Sequence, residues 1–111
     1  MKSVALRTSD FDRLYRGASR RQRSERFLVL AQPSQRGETR WGISVKSRLG
    51  GAVVRNRMKR RVREILRRAE LPNGWDIVVQ PRTARVASDN FEELRRELTS
   101  LLARVVKENE K

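Results

Sequence analysis

Apolar positions recur along this chain with two different spacings, and the switches between them mark out its elements. After Thr8-Ser9-Asp10, an N-cap hydroxyl followed by an acid, Phe11, Leu14 and Tyr15 stand at i, i+3, i+4, and Gly17 stops the run. That pattern predicts a short helix. From Arg16 to Arg26 there is no apolar period: Arg16, Arg20, Arg21, Arg23 and Arg26 are opposed only by Glu25. Phe27-Leu28-Val29-Leu30-Ala31 is a continuous apolar run of strand length. Pro33-Ser34-Gln35-Arg36-Gly37 is a turn cluster, after which Trp41, Ile43 and Val45 alternate with Gly42, Ser44 and Lys46 as in a half-buried strand. The short connection predicts that these two strands form an antiparallel hairpin.

Gly50-Gly51 breaks the alternation and opens a long helix. Advancing 100° per residue from Val54, the side chains of Val54, Met58, Val62, Ile65, Leu66 and Ala69 fall within an arc of about 120°, a face for packing on a sheet. Asn56, Arg60, Arg63 and Arg67 fall roughly opposite. Pro72-Asn73-Gly74 turns the chain into a second continuous apolar strand, Trp75 to Val79, closed by Pro81. Ser88-Asp89-Asn90 opens a last helix, where Asp89 with Glu92 fits a capping box. Its stripe is Phe91, Leu94, Leu98, Leu101, Leu102 and Val105. The expected order is α-β-β-α-β-α, one α/β domain over residues 1–111 with flexible ends at 1–6 and 107–111.

Charge sharpens this picture. Lys and Arg number 27 against 13 Asp and Glu, a net charge of +14 on 111 residues. An excess of that size calls for a polyanionic partner, nucleic acid before an anionic membrane. With no cysteine and no histidine, thiolate metal sites, disulfides and the commonest general base are excluded. No stretch approaches a membrane span, and Met1 to Arg7 lacks the apolar core of a secretory signal, so a cytoplasmic protein is expected.

The charge is concentrated on the long helix, where Arg55 to Arg68 holds eight basic residues and one acid. A solvated helix face normally mixes signs at i, i+4, gaining a few tenths of a kcal/mol per pair. Here Arg60 can pair with Glu64, but Arg63 faces Arg67 and Arg57 faces Arg61 as like charges. A bound polyanion accounts for that self-repulsion most simply. Asn56 among the cations offers paired donor and acceptor groups, or a hydrogen bond near the helix start. The two glycines ahead of it leave N–H groups at the positive end of the helix, a phosphate cradle in combination with Arg55-Asn56-Arg57.

Arg40-Trp41-Gly42-Ile43-Ser44-Val45, Gly50, Ala52-Val53 and Arg55-Asn56-Arg57-Met58-Lys59-Arg60 through Val62-Arg63-Glu64 resemble the signature of the bacterial ribonuclease P protein component. Phe11 and Gly17 upstream and Trp75-Asp76-Ile77-Val78-Val79 downstream are similar to its first helix and third strand. The resemblance implies an α/β sandwich like the second domain of ribosomal protein S5, with a left-handed βαβ crossover against the usual hand. It implies a protein subunit, one per RNA, that joins a catalytic RNA in Mg²⁺-dependent removal of the 5′ leader from precursor tRNA, the RNA and substrate holding the metal. By the same resemblance Arg55, Asn56, Arg57, Lys59, Arg60, Arg63 and Arg67 face the catalytic RNA, with Arg7, Lys46 and Arg48 at its border. Phe11 and Tyr15 would line a cleft for the single-stranded leader. Lys46-Ser47-Arg48 departs from the family's common Ser-Lys-Lys, and Leu30 stands where some members carry an aromatic.

Two readings compete. Aromatics at i, i+4 on a short helix are more often core than stacking platform, and a structural binder of ribosomal RNA would share this composition. A membrane-surface helix fits less well, because the apolar face of the long helix is narrow and carries no Trp or Phe. No protein catalytic residues are expected: Asp10 and Asp12, and Glu92 and Glu93, sit where acids favour helix N-termini, and Asp76 is a lone acid beside a strand.

Overall fold

Strand β5, Trp75–Pro81, is buried at all seven positions, and the sheet is assembled around it. The computed structural model describes residues 4–5, 8–35 and 37–106. On one side β5 runs antiparallel to β3 (Phe27–Pro33), and on the other parallel to β4 (Arg40–Ile43). Beyond β3 lies β2, Arg20–Arg23, and beyond β4 the two-residue β1, Val4–Ala5, so the order is β1-β4-β5-β3-β2. A strand buried on both faces reads as a continuous apolar run, and that is where such a strand belongs, in the middle.

Two expectations are corrected here. The strands at 27–33 and 40–43 do not form a hairpin, because β5 inserts between them and takes the hydrogen-bonding edges of both. The hairpin partner of β3 is β2, with Arg21 opposite Leu30 and Arg23 opposite Leu28, in a stretch that has no apolar alternation. Val4–Ala5 pairs with Arg40–Trp41; of the ends expected to be flexible, 1–3, 6 and 107–111 lie outside the described residues, as does Arg7.

Helices α2 (Ala52–Arg68) and α3 (Phe91–Val105) cover one face of the sheet. Met58, Val62, Ile65 and Leu66 of α2 are buried there, with Val54 and Ala69 at the margin, which is the stripe the helical wheel delineates. They meet Phe27, Val29, Ala31, Ile77 and Val79 and the α3 stripe Leu94, Leu98, Leu101, Leu102 and Val105. Each such side chain contributes about 1.5–3 kcal/mol by leaving water, more than a surface ion pair. α3 is capped by Asn90, whose side chain accepts from the N–H of Glu93 at 3.0 Å, and not by Asp89. Asp89 is drawn instead into ion pairs with Arg26 at 2.7 Å and Arg85 at 3.2 Å.

Helix α1, Thr8–Gly17, crosses the other face. Leu14 is buried there against Leu30 and Val78, with Phe11, Ala18 and Leu28 around them. Two polar contacts flank that apolar one. Arg13 reaches Asp76 at 3.1 Å, and the Tyr15 hydroxyl donates to Gln80 at 2.7 Å. Thus Asp76, Val78 and Gln80, alternate residues of β5, receive Arg13, Leu14 and Tyr15. Arg40 of β4 closes on the same Asp76 carboxylate with two hydrogen bonds, of 3.0 and 2.9 Å, and this pair is almost wholly buried.

Candidate nucleic-acid interface

The outer side of α2 carries more cations than acids to balance them. Its one acid, Glu64, pairs with Arg68 at 2.6 Å and not with Arg60. Arg61 is also occupied, donating to the carbonyl of Val86 at 2.9 Å and lying over the ring of Phe91. Arg55 donates through Nε to the carbonyl of Gly50 at 3.0 Å, tying the helix to the turn before it. Among the described residues, Arg57, Lys59, Arg60, Arg63 and Arg67 have no acidic partner, and Asn56 is exposed among them. The helix begins at the N-cap Gly51, without a side-chain cap, so Asn56 does not serve as one.

The chain from β4 into α2 adds to this surface. Lys46 and Arg48, both exposed, belong to a 3-10 turn at Ser47–Leu49 that ends at Gly50. Gly50 has φ +153°, and a Cβ there would meet Cβ and Cγ1 of Val54 at 3.1 Å. The glycine therefore lets the turn close onto the first turn of the helix. Lys46, Arg48, Arg55, Asn56 and Arg57 are brought together by one short connection, with the rest of the α2 cations beyond it. Arg7 lies outside the described residues.

Phe11 and Tyr15 are placed on the opposite sheet face from α2. The core position of α1 is Leu14; Phe11 is half-buried at the edge of that small cluster, and Tyr15 is 42 % exposed, its ring held by the hydroxyl contact to Gln80. Leu30 is buried beneath α1 against Leu14, which leaves the two α1 aromatics as the ring surfaces at this edge. The molecule thus presents a cationic helix on one side and an aromatic edge on the other. The Arg16 to Arg26 stretch, whose contact with RNA the sequence leaves open, places Arg21 and Arg23 exposed on the aromatic side. Their signal was only the parity that pairs them with Leu30 and Leu28.

The hydrogen bond from Arg26, with help from Arg85, lowers the pKa of Asp89 from its ordinary value. Glu97 is raised by burial, but hydrogen bonds from Ser24 and from the backbone and side chain of Arg26 outweigh it and hold the group low. Among the described residues no three acidic side chains converge as a metal cage.

Fold and surface together define a class, a small basic α/β protein that displays one cationic helix over a sheet. The chain belongs to the ribonuclease P protein family, whose model, Ribonuclease P, matches residues 2–106. It is 36% identical over 105 residues to the ribonuclease P protein component of Roseiflexus castenholzii, covering 93% of this chain and 86% of that one. To the same component of Thermotoga maritima it is 42% identical over 89 residues, 74% of each chain. The solved structure of the Thermotoga maritima ribonuclease P protein superposes with a TM-score of 0.82 at 36% identity, covering 92% of this chain and 97% of that one. The Staphylococcus aureus protein gives 0.79 at 26% identity, covering 97% and 100%. No helix among the described residues is long and apolar enough to cross a membrane.

Proposed function

We propose that this chain is the protein subunit of a ribonuclease P ribonucleoprotein, one protein per catalytic RNA, acting in the cytoplasm in 5′ maturation of precursor tRNA. The observation that carries this reading is the uncompensated cationic face of α2 in a chain of that family. Arg57, Lys59, Arg60, Arg63 and Arg67, with Asn56 and the flanking Lys46, Arg48 and Arg55, would dock on the catalytic RNA. Guanidinium groups suit this, gripping phosphate oxygens two at a time. Arg7 is assigned to the same border by resemblance alone.

The leader of the substrate would lie across the aromatic side, its bases stacked on Phe11 and Tyr15. Cleavage chemistry belongs to the RNA, which with the substrate would hold Mg²⁺. The acids whose contacts are described fit that division, since Asp76, Asp89, Glu92 and Glu97 are engaged by arginines. The protein supplies binding: cations that lessen repulsion between RNA phosphates, and a surface that keeps the leader in line. The competing expectation, a structural binder of ribosomal RNA, is favoured by no feature of either surface.

Binding of the protein to a bacterial ribonuclease P RNA, measured across a salt series, tests the docking surface. Each neutralised phosphate steepens the dependence on salt. Lys59→Ala/Arg63→Ala should weaken assembly and flatten the slope; unchanged affinity with an unchanged slope would refute the assignment.

A further inference from the structure

The arginines divide sharply by what they touch. Arg13 and Arg40 are bound to Asp76, Arg26 to Glu97 and Asp89, Arg85 to Glu25 and Asp89, Arg95 to Glu92. Arg20, Arg61 and Arg82 donate to backbone carbonyls. What remains without a protein partner among the described residues falls in two patches, apart from Arg104 on α3. One is the α2 surface with Arg48. The other is Arg16 at the end of α1 with Arg21 and Arg23 on β2, all exposed.

The second patch lies on the aromatic side. Pairing of Arg21 with Leu30 and of Arg23 with Leu28 puts both arginines on the sheet face that carries Leu14, Val78 and Gln80. From β5, where Gln80 holds Tyr15, to β2 is two strand spacings, about 10 Å. A single nucleic-acid strand stacked on Tyr15 and continuing towards the sheet edge reaches them within a couple of extended nucleotides.

Charged side chains on an edge strand commonly guard it against pairing with other chains. That role is indifferent to sign and to acidic neighbours. Here all three charges of β2 are positive; Asp12, which lines a cavity with Arg16 on α1, forms no ion pair with it, and Glu25 of the β2–β3 turn is turned away to Arg85 at 2.9 Å. Cations in excess of acids beside the exposed Tyr15 ring and the half-buried Phe11 are the combination that binds a single strand, backbone on cations and bases on rings.

We infer that Arg21 and Arg23, with Arg16, form a second phosphate-binding strip that grips the far part of the precursor leader, beyond the nucleotides stacked on Phe11 and Tyr15. This rests on the reading of the aromatic side as the leader surface. The catalytic RNA is the less suitable occupant, because the strip faces away from the α2 side of the sheet.

The test uses the reconstituted holoenzyme and three ligands: precursor tRNA with a long leader, the same tRNA with a leader cut to its cleavage-proximal nucleotides, and mature tRNA. Arg21→Ala/Arg23→Ala should bind the long-leader precursor roughly five- to tenfold more weakly, as for two exposed charge-assisted contacts. Its salt slope should flatten by roughly 0.7 per lost phosphate contact. Affinity for the short-leader precursor, for mature tRNA and for the catalytic RNA should not move. Arg21→Lys/Arg23→Lys should keep most of the binding, and each single alanine variant should show part of the loss if the double variant folds poorly. Equal weakening for all three ligands, weakened assembly with the RNA, or no change overturns the strip. If the unaltered protein shows no gain from any leader, the leader-surface reading itself falls; if it shows the gain and the variant keeps all of it, only the strip falls.

Discussion

The hydroxyl of Tyr15 donates to Oε1 of Gln80 at 2.7 Å across a sequence separation of 65 residues, fixing an exposed ring of α1 over the central strand. The hydroxyl is satisfied on the buried Gln80, as a tyrosine packed on a core requires, while 42 % of the side chain stays open to a ligand.

Tyr15→Phe should therefore cost about 0.5–1.5 kcal/mol of stability by thermal melting, the worth of one hydrogen bond, and retain most leader binding. Phe11→Ala and Tyr15→Ala should each weaken precursor binding by the holoenzyme by about 1–3 kcal/mol and leave mature tRNA unaffected. An equal loss on both ligands would remove these rings from the leader surface.

Asp76 and Arg40 form a buried ion pair, 1% and 5% exposed. Asp76→Ala removes the buried carboxylate that Arg40 and Arg13 share, so stability should fall by about 3–5 kcal/mol. For a domain of this size that lowers the melting temperature by more than about 10 °C. A near-native melting curve would show that the pair contributes little.

Gly50 sits at φ +153° with Val54 against the position of a Cβ. Gly50→Ala should strain the turn by roughly 1–3 kcal/mol and shift the first turn of α2. Since Lys46, Arg48 and Arg55 lie on either side of it, assembly with the catalytic RNA should weaken as well. Unaltered assembly would place those side chains outside the interface.

Asp89 and Glu97 ionise more readily in the folded protein than in the unfolded chain. Their ion pairs with Arg26 are complete above the ordinary carboxylate pKa, about 4, and their stabilisation is lost as pH falls through the lower folded values. Melting temperature followed from pH 7 to pH 2 should drop below about pH 4.5, and Glu97→Gln should start lower and drop less steeply. Parallel curves for the two proteins would exclude Glu97 from the acid response.

Most of the fold is legible in apolar spacing, and the exceptions have physical causes. α1, α2, α3 and the strands at Phe27, Arg40 and Trp75 follow their periods. β2 did not declare itself, because an edge strand with one open face can be Arg-Arg-Gln-Arg: Arg20 packs its guanidinium over Trp75, and Arg21 and Arg23 meet solvent. The sheet order was misjudged from loop length, although the uninterrupted burial of Trp75–Pro81 is the mark of a central strand. On the surface, spacing identified the cations of α2 but not which were occupied. Arg61 and Arg55 are indistinguishable from Arg60 and Arg57 in sequence, and only tertiary contacts with Val86, Phe91 and Gly50 separate them.

The central claim, that this protein assists a catalytic RNA through the α2 surface, is tested most directly by single-turnover cleavage of precursor tRNA at limiting Mg²⁺. A bacterial ribonuclease P RNA would be assayed alone, with this protein, and with the Lys59→Ala/Arg63→Ala variant. The account predicts faster cleavage with the protein and loss of most of that gain with the variant at equal concentration. Cleavage no faster than by the RNA alone would contradict it.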